Sequence, residues 1–342
     1  MITATDGCTR KRCVDDDARS SSPKRRIEAP LPATHDRILI GKGVSSCVYA
    51  GTRDGKAIAI KEVLLDATKD PEAWTEEAFL LERDIHVAVR GHPNIVRLIA
   101  THHEPGTKGA LVMERCEGTL REKLQRVGER STYETVHMMR QLLAAVAYCH
   151  AQRVMHRDLK PENVLLREGT IKLADFGLAH RFEDDENAQR GRSSLVDPYA
   201  TLWYRAPELY FGDLLRTRFR ARDAPVALRH SYACDLWSLG CILVELRCFT
   251  PLFQATTEVD LFFRVNRTLG SPSAKCWPQG YEAYARLNLT PPRAVREPLV
   301  SHKDRFGAEG IDLLRRLLCL SPHERITATG AILHPYLSTK RD

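Results

Sequence analysis

No stretch of the sequence approaches the ~18 consecutive apolar residues that a membrane-spanning helix needs. The opening segment, MITATDGCTRKRCVDDDARS, lacks the apolar centre of a secretory leader, so an intracellular protein is expected and a membrane partner is not. Its 10 cysteines include no CxxC pair and no Cys/His cluster at zinc spacing. That excludes a zinc module and, in a reducing compartment, favours buried free thiols over a disulfide frame. Internal repeats are missing too, which excludes a solenoid.

What is present is a chain of 342 residues, 43% hydrophobic and 28% charged, enough for a large core in one or two domains. The formal charge of +7 is unevenly spread. Part lies in a polar tail, residues 1–34, too poor in apolar residues to fold alone. Part lies in an arginine-rich insert near 212–230, where LLRTRFRARDAPVALRH holds five arginines against Asp213 and Asp223. Both are appendages to a balanced body, so specific nucleic-acid binding is not expected; such charge gives weak, salt-sensitive, sequence-independent contacts. Cys234, Cys241 and Cys248 recur every seven residues, the spacing of one buried helical stripe.

Folding is expected to begin near Arg37. RILIGKGVSSCVYAGTRDGKAIAIKEV reads as three strands with a turn at RDGK. A helix follows in DPEAWTEEAFLLERDIHVAV, with Asp70 and Pro71 placed as its cap and first turn. Two more strands come around VRLIATH and GALVMER. After Cys116 the period turns helical, in TVHMMRQLLAAVAYCHAQ, YACDLWSLGCILVELRCF and IDLLRRLLCL. A strand-rich first third and a helix-rich remainder imply two unequal lobes with a cleft between them.

The chemistry gathers in short motifs. GKGVSSCV puts Gly41 and Gly43 in a turn where backbone amides could approach phosphate oxygens, although an ordinary glycine hairpin would look the same. Lys61 ends the apolar run AIAIK, where an unpaired ammonium would cost roughly several kcal/mol, so it needs a phosphate or a carboxylate such as Glu82. In MHRDLKPENVLL, Asp158 can accept a proton from an attacking hydroxyl. Lys160 can neutralise a transferred phosphoryl group, and Asn163 can offer its carbonyl oxygen to Mg²⁺. IKLADFG ends a strand at Asp175, a second oxygen ligand for Mg²⁺.

GKGVSSCV, AIAIK, HRDLKPEN, DFG and APE occur in the order of the eukaryotic protein kinase signatures, and the chain resembles that family over roughly residues 37–337. ATLWYRAPELYFG and YACDLWSLGCILVEL are most similar to its cyclin-dependent branch. The resemblance implies an α+β, bilobal fold: a small β-rich N-lobe at 35–115 and a larger, mostly helical C-lobe at 116–342. It implies ATP and Mg²⁺ as cofactors and protein substrates as partners. Met113 becomes the gatekeeper, Glu114 and Cys116 the adenine-binding hinge, and Ile40, Val48, Ala59 and Leu165 the apolar sandwich around the base; Glu162 joins the nucleotide-binding positions. Lys160 and Thr201 mark serine/threonine specificity, and Arg205 in TLWYRAPE resembles proline-directed relatives. Glu208 with Arg325 should form a buried ion pair, and Asp235 should brace the catalytic loop. The alternative, an interaction scaffold without turnover, finds no support where Lys61, Asp158, Asn163 and Asp175 all stand.

The departures carry expectations of their own. Ser46 replaces the third loop glycine, and His86 sits where an apolar spine residue is usual, so its imidazole must be uncharged and hydrogen bonded. EEAFLLE shares only Glu82 with the branch's cyclin-binding form, which argues against dependence on the cyclin-like activator the resemblance brings with it. Val44 and Ser45 replace an inhibitory Thr-Tyr pair. The phosphothreonine position of the activation segment is Val196, and of three arginines that would grip it only Arg157 remains, beside Leu81 and His180. The acidic run EDDENAQ or Asp197 could supply the missing charge, and Ser193 and Ser194 are the nearby hydroxyls.

RKR at 10–12 and KRR at 24–26 are spaced like a bipartite nuclear import signal. Deleting residues 1–34 is expected to shift a fluorescent fusion from nucleus to cytoplasm; an unchanged distribution would leave the tail a merely solvated charge run.

Overall fold

The computed structural model describes residues 31, 37–43, 46–65, 75–126, 131–182, 202–218, 231–289 and 299–338. Strands β1 (Ile38–Lys42), β2 (Ser46–Arg53), β3 (Lys56–Leu64), β4 (Leu98–Glu104) and β5 (Lys108–Glu114) form one antiparallel sheet in the order β1-β2-β3-β5-β4. The turn expected at RDGK joins β2 to β3, with Asp54 and Gly55 both at positive φ (52° and 71°) and Arg53 paired with Lys56. Two left-handed residues match the natural twist of a two-residue hairpin, and Asp-Gly tolerates them.

Helix α1 (Glu76–Val89) packs beside this sheet. Its cap is Thr75, whose hydroxyl accepts from the Ala78 N–H at 3.2 Å, so the helix starts later than Asp70 and Pro71 imply; those two lie outside the described residues. Thr75 is followed by two glutamates that favour the positive end of the helix dipole, a stronger local start signal than the earlier proline. The tail also contributes: Leu31, counted among the unfolded residues on composition, packs against the apolar back of the sheet near Ile58 and Ile60.

The remainder is mostly helical. It contains β6 (Gly118–Thr119), α2 (Leu120–Arg126), α3 (Thr132–Ala151), β7 (Val154–Met155), β8 (Val164–Arg167), β9 (Thr170–Leu173) and β10 (His180–Arg181). After these come α4 (Pro207–Arg218), α5 (Ala233–Cys248), α6 (Glu258–Leu269), α7 (Pro278–Leu287), α8 (Lys303–Leu317) and α9 (Ala328–Ile332). Together the two parts make the bilobal α+β arrangement the sequence predicts. Among the described residues no helix is long and apolar enough to cross a membrane.

The core of the helical lobe is α5, buried continuously from Cys234 to Leu246. A helix apolar on every side must be covered on every side. Cys234 and Cys241 are therefore two positions in a fully enclosed helix rather than a stripe, with Cys248 only partly covered at its end. Gly240 lets α8 approach, since a Cβ there would stand 2.7 Å from a Leu318 methyl.

Arg325 ties this core to α4: its guanidinium donates to both Glu208 carboxylate oxygens at 2.7 and 3.1 Å and to Ala233 O, and lies 5.3 Å from the Trp237 ring centroid. Both side chains are almost wholly enclosed. Arg325→Leu is expected to lower unfolding stability by roughly 3–5 kcal/mol, because it strands a buried carboxylate, whereas adding Glu208→Leu should recover much of that loss. Urea midpoints of the two variants check it; a single variant as stable as the parent would show the pair to be dispensable.

Candidate active site

The site begins with the period of β3. Alternation sends Ile58 and Ile60 to the back of the sheet, where they join Ala100, Ala110 and Val112, and turns Ala59 and Lys61 to the opposite face. On α1, Phe79, Glu82, His86 and Val89 are buried at helical spacing, which sets Glu82 and His86 on the face turned inward. Lys61 Nζ then reaches Glu82 Oε1 and Asp175 Oδ1, both at 2.7 Å. Burial works against the Lys61 ammonium, but the Asp175 and Glu82 carboxylates override it and hold its pKa above the ordinary lysine value. Asp175 stands at the cleft wall with its side chain 45% exposed; partial loss of solvent pushes its carboxyl up, and the Lys61 charge more than reverses this, bringing it to about 2. Burial dominates at Glu82, whose pKa is raised and whose Oε2 has no hydrogen-bond partner among the described residues.

His86 meets its requirement. Its Nε2 lies 2.8 Å from Val96 O, its ring is 5.2 Å from Phe176, and Phe176 in turn is 5.1 Å from His156. His156 Nε2 bonds Ala174 O at 3.0 Å, so a column of two imidazoles around one phenyl ring connects α1, the DFG residues and the catalytic loop. Burial drives the His86 pKa down to about 4, keeping the ring neutral at physiological pH.

The catalytic loop hangs from α5. Asp235 accepts the Arg157 N–H on Oδ1 at 2.8 Å and the His156 N–H on Oδ2 at 2.9 Å, and His150 Nε2 lies 2.8 Å from the same Oδ2. Burial alone would raise this carboxyl; the His150 and His156 bonds outweigh it and lower it. The brace matters because Arg157 sits at φ 70° and Asp175 at φ 63°, conformations that cost a side-chain-bearing residue roughly 1–3 kcal/mol each and persist only when held.

Beyond the brace, Asp158 Oδ2 accepts from Lys160 Nζ at 2.7 Å and from Asn163 Nδ2 at 2.8 Å. Asn163 Nδ2 also donates to Asp158 O at 2.8 Å. Both donor positions of the amide are thus spent on Asp158, which leaves its carbonyl oxygen for a hard cation. With Asp175 across the cleft, the donor set is all oxygen, as Mg²⁺ requires.

A cavity of about 650 Å³ opens between the lobes, lined by every expected nucleotide-contacting residue: Ile40, Gly41, Gly43, Val48 and Ala59 above, Met113, Glu114 and Cys116 at the side, Glu162, Asn163, Leu165 and Asp175 below. Lys61, Glu82 and Lys160 line it as well. At the glycine turn, Gly43 N–H bonds Ser46 O at 2.8 Å, and a Cβ on Gly43 would come within 3.0 Å of Ser46 Oγ. Two assignments need refinement. Glu114 gives its N–H to Arg97 O and its carboxylate to the Arg97 N–H, Arg167 and Lys172, so a hinge bond from Glu114 is left to its carbonyl. One Glu162 carboxylate oxygen is taken by Arg121 at 2.7 Å, while Oε2 is buried without a hydrogen-bond partner among the described residues.

Arg121 itself had no short-range signal. It also contacts Glu245 and the Tyr204 hydroxyl, partners 124 and 83 residues away, and so locks α2, the catalytic loop and α5 together. Thr201, Val44, Ser45, the acidic run and Ser193 to Asp197 lie outside the described residues. Residues 35–337 match a family model described as the protein kinase domain, which covers most of the chain.

Because folded His86 binds a proton less readily than an unfolded histidine, its contribution to stability should fall as pH drops from about 6.5 toward 4, by roughly 3 kcal/mol in total. His86→Leu should flatten that acid-side slope. Denaturant midpoints measured across this window check it, and an identical slope in both proteins would rule His86 out as its source.

Proposed function

We propose that this chain, which belongs to the protein kinase family, is an active serine/threonine kinase of the cyclin-dependent-like branch that transfers the ATP γ-phosphate to Ser or Thr followed by Pro. The observation that carries turnover, against a scaffold role, is the assembled ion triplet of Lys61, Glu82 and Asp175 beside Asp158, Lys160 and Asn163. Lys61 holds the nucleotide phosphates in place. Asn163 and Asp175 would hold Mg²⁺, which when bound would neutralise charge at those phosphates. The substrate hydroxyl oxygen forms the new bond to the γ-phosphorus as the bond to the β–γ bridging oxygen breaks, and its proton passes to Asp158 while ADP departs. Lys160, already on Asp158, offsets the charge of the moving phosphoryl group.

Serine/threonine selectivity rests on the resemblance at Lys160 and Thr201. The preference for proline rests on TLWYRAPE, whose Leu202–Tyr204 turn is fixed by Trp203 Nε1 donating to Ala255 O at 2.9 Å, with Arg205 near Glu258. Glu82 engages Lys61 within the single chain, which supports activity without a cyclin-like activator. Protein substrates are its partners, and the basic tail supports a nuclear location.

A peptide array with the purified chain, ATP and Mg²⁺ should show Ser/Thr phosphorylation favoured by Pro at the next position. Asp158→Asn, whose amide oxygen can still accept from Asn163, should reduce turnover by roughly 10²–10⁴-fold while nucleotide affinity stays close to the parent's. Equal turnover in the variant would refute the catalytic assignment, and an array indifferent to proline would refute the specificity.

A further inference from the structure

Behind the hinge, the described residues line a second, open cavity of about 690 Å³, which shares Arg115, Cys116 and Glu117 with the wall of the nucleotide cleft. It exists because of strand register. Arg53 ends β2 opposite Lys56, and Ile58 pairs with Glu114, so the residue after β5, Arg115, comes beside the start of β3. Arg97, just before β4, and Arg167, at the end of β8, complete the basic wall.

The acidic residues at this cavity do not satisfy that wall. Asp54 is almost fully exposed and stands 3.9 Å from Arg53 Nε. Glu117 accepts the Glu168 N–H at 2.9 Å, and Glu168, itself largely exposed, touches Arg167 at 3.4 Å. Glu114, the buried carboxylate nearby, is saturated by the Arg97 N–H, Arg167 and Lys172. Two guanidinium nitrogens are then left over: Nη1 of Arg53 and Nη1 of Arg115 are each buried without a hydrogen-bond partner among the described residues. Arg53 and Arg115 both line the cavity, and a covered cationic N–H without an acceptor is costly and rare in a native fold, so two such side chains in one lining point to a missing anion. Five basic side chains against three carboxylates leave a formal excess of two. That matches a phosphate monoester, which carries about −1.5 to −2 at neutral pH and three acceptor oxygens for guanidinium donors. A single carboxylate supplies half the charge and two oxygens.

We propose that this cavity binds a phosphorylated serine or threonine side chain of a peptide segment. None of the residues proposed for phosphoryl transfer takes part, so the site stands whether or not the proposed specificity is right.

The probe is a labelled peptide, Ala-Ala-phosphoserine-Ala-Ala, titrated by fluorescence anisotropy against the full-length chain without nucleotide. Saturable binding is expected, weakening with salt, and at least tenfold weaker in Arg53→Gln and in Arg115→Gln. Arg53 lies outside the nucleotide cleft, so ATP-analogue affinity in Arg53→Gln should stay within about twofold of the parent's and certify its fold. Equal binding of the unphosphorylated peptide would overturn the proposal, as would unchanged affinity in Arg53→Gln. Equal binding of the glutamate-substituted peptide would replace phosphate by carboxylate recognition. Stronger binding of a short single-stranded oligonucleotide would show a phosphodiester surface instead, and each of those two results rejects the phosphoserine assignment.

Discussion

One ammonium group decides whether the cleft is a site. Lys61 comes from β3, Glu82 from α1, and Asp175 from the segment after β9, and these three elements converge only because one cation needs both anions. At a separation of a few ångströms and an effective dielectric near 20, each such pair is worth roughly several kcal/mol before desolvation is subtracted. Removal of either carboxylate therefore leaves a poorly compensated charge in an enclosed place. The position of α1 is thereby coupled to the chemistry: a rotation that withdraws Glu82 would also leave its buried carboxylate unpaired, which disfavours intermediate positions of the helix.

The second constraint is backbone strain. Arg157 and Asp175 both adopt left-handed conformations, and each is held by a contact from a different element: the Arg157 N–H by the Asp235 carboxylate of α5, the Asp175 side chain by Lys61 of β3. The largely buried α5 thus fixes the catalytic loop, and the sheet fixes the aspartate proposed to hold Mg²⁺. Between the two anchors lies the column of His86, Phe176 and His156, each imidazole bonded to a backbone carbonyl. An imidazole can fill an apolar column only when its polar atoms find partners, and Nε2 of each ring has a backbone carbonyl.

Much of this was legible in the sequence because the site is built from short motifs and simple periods. The two-residue period of AIAIK places Ala59 and Lys61 on one face, and the helical spacing of Glu82 and His86 places them on another. The need for a His86 partner follows from chemistry, but that Val96 O is the partner does not. Contacts across long sequence separations were legible only where the family resemblance carried them, as for Glu208 with Arg325; Arg121 with Glu245 and Tyr204, or Glu114 with Arg167 and Lys172, left no trace. The start of α1 was misjudged because proline marks a first turn more conspicuously than threonine marks a cap, and Leu31 was lost in a tail judged by its average composition.

The activation segment brings these levels together. Of the three positions that would grip a phosphothreonine in the branch this chain resembles, Leu81 is partly buried against the core, and His180 pairs with Met155 between β10 and β7 with its ring edge-on to Phe182 at 5.0 Å. Both are employed in packing. Arg157 keeps its guanidinium, and its backbone N–H is held by Asp235. A cluster of three arginines repels itself until an anion arrives, and that repulsion is what makes phosphorylation a switch. With one arginine there is little to relieve. The catalytic loop of this chain takes its geometry from α5, through the two backbone N–H groups that Asp235 accepts.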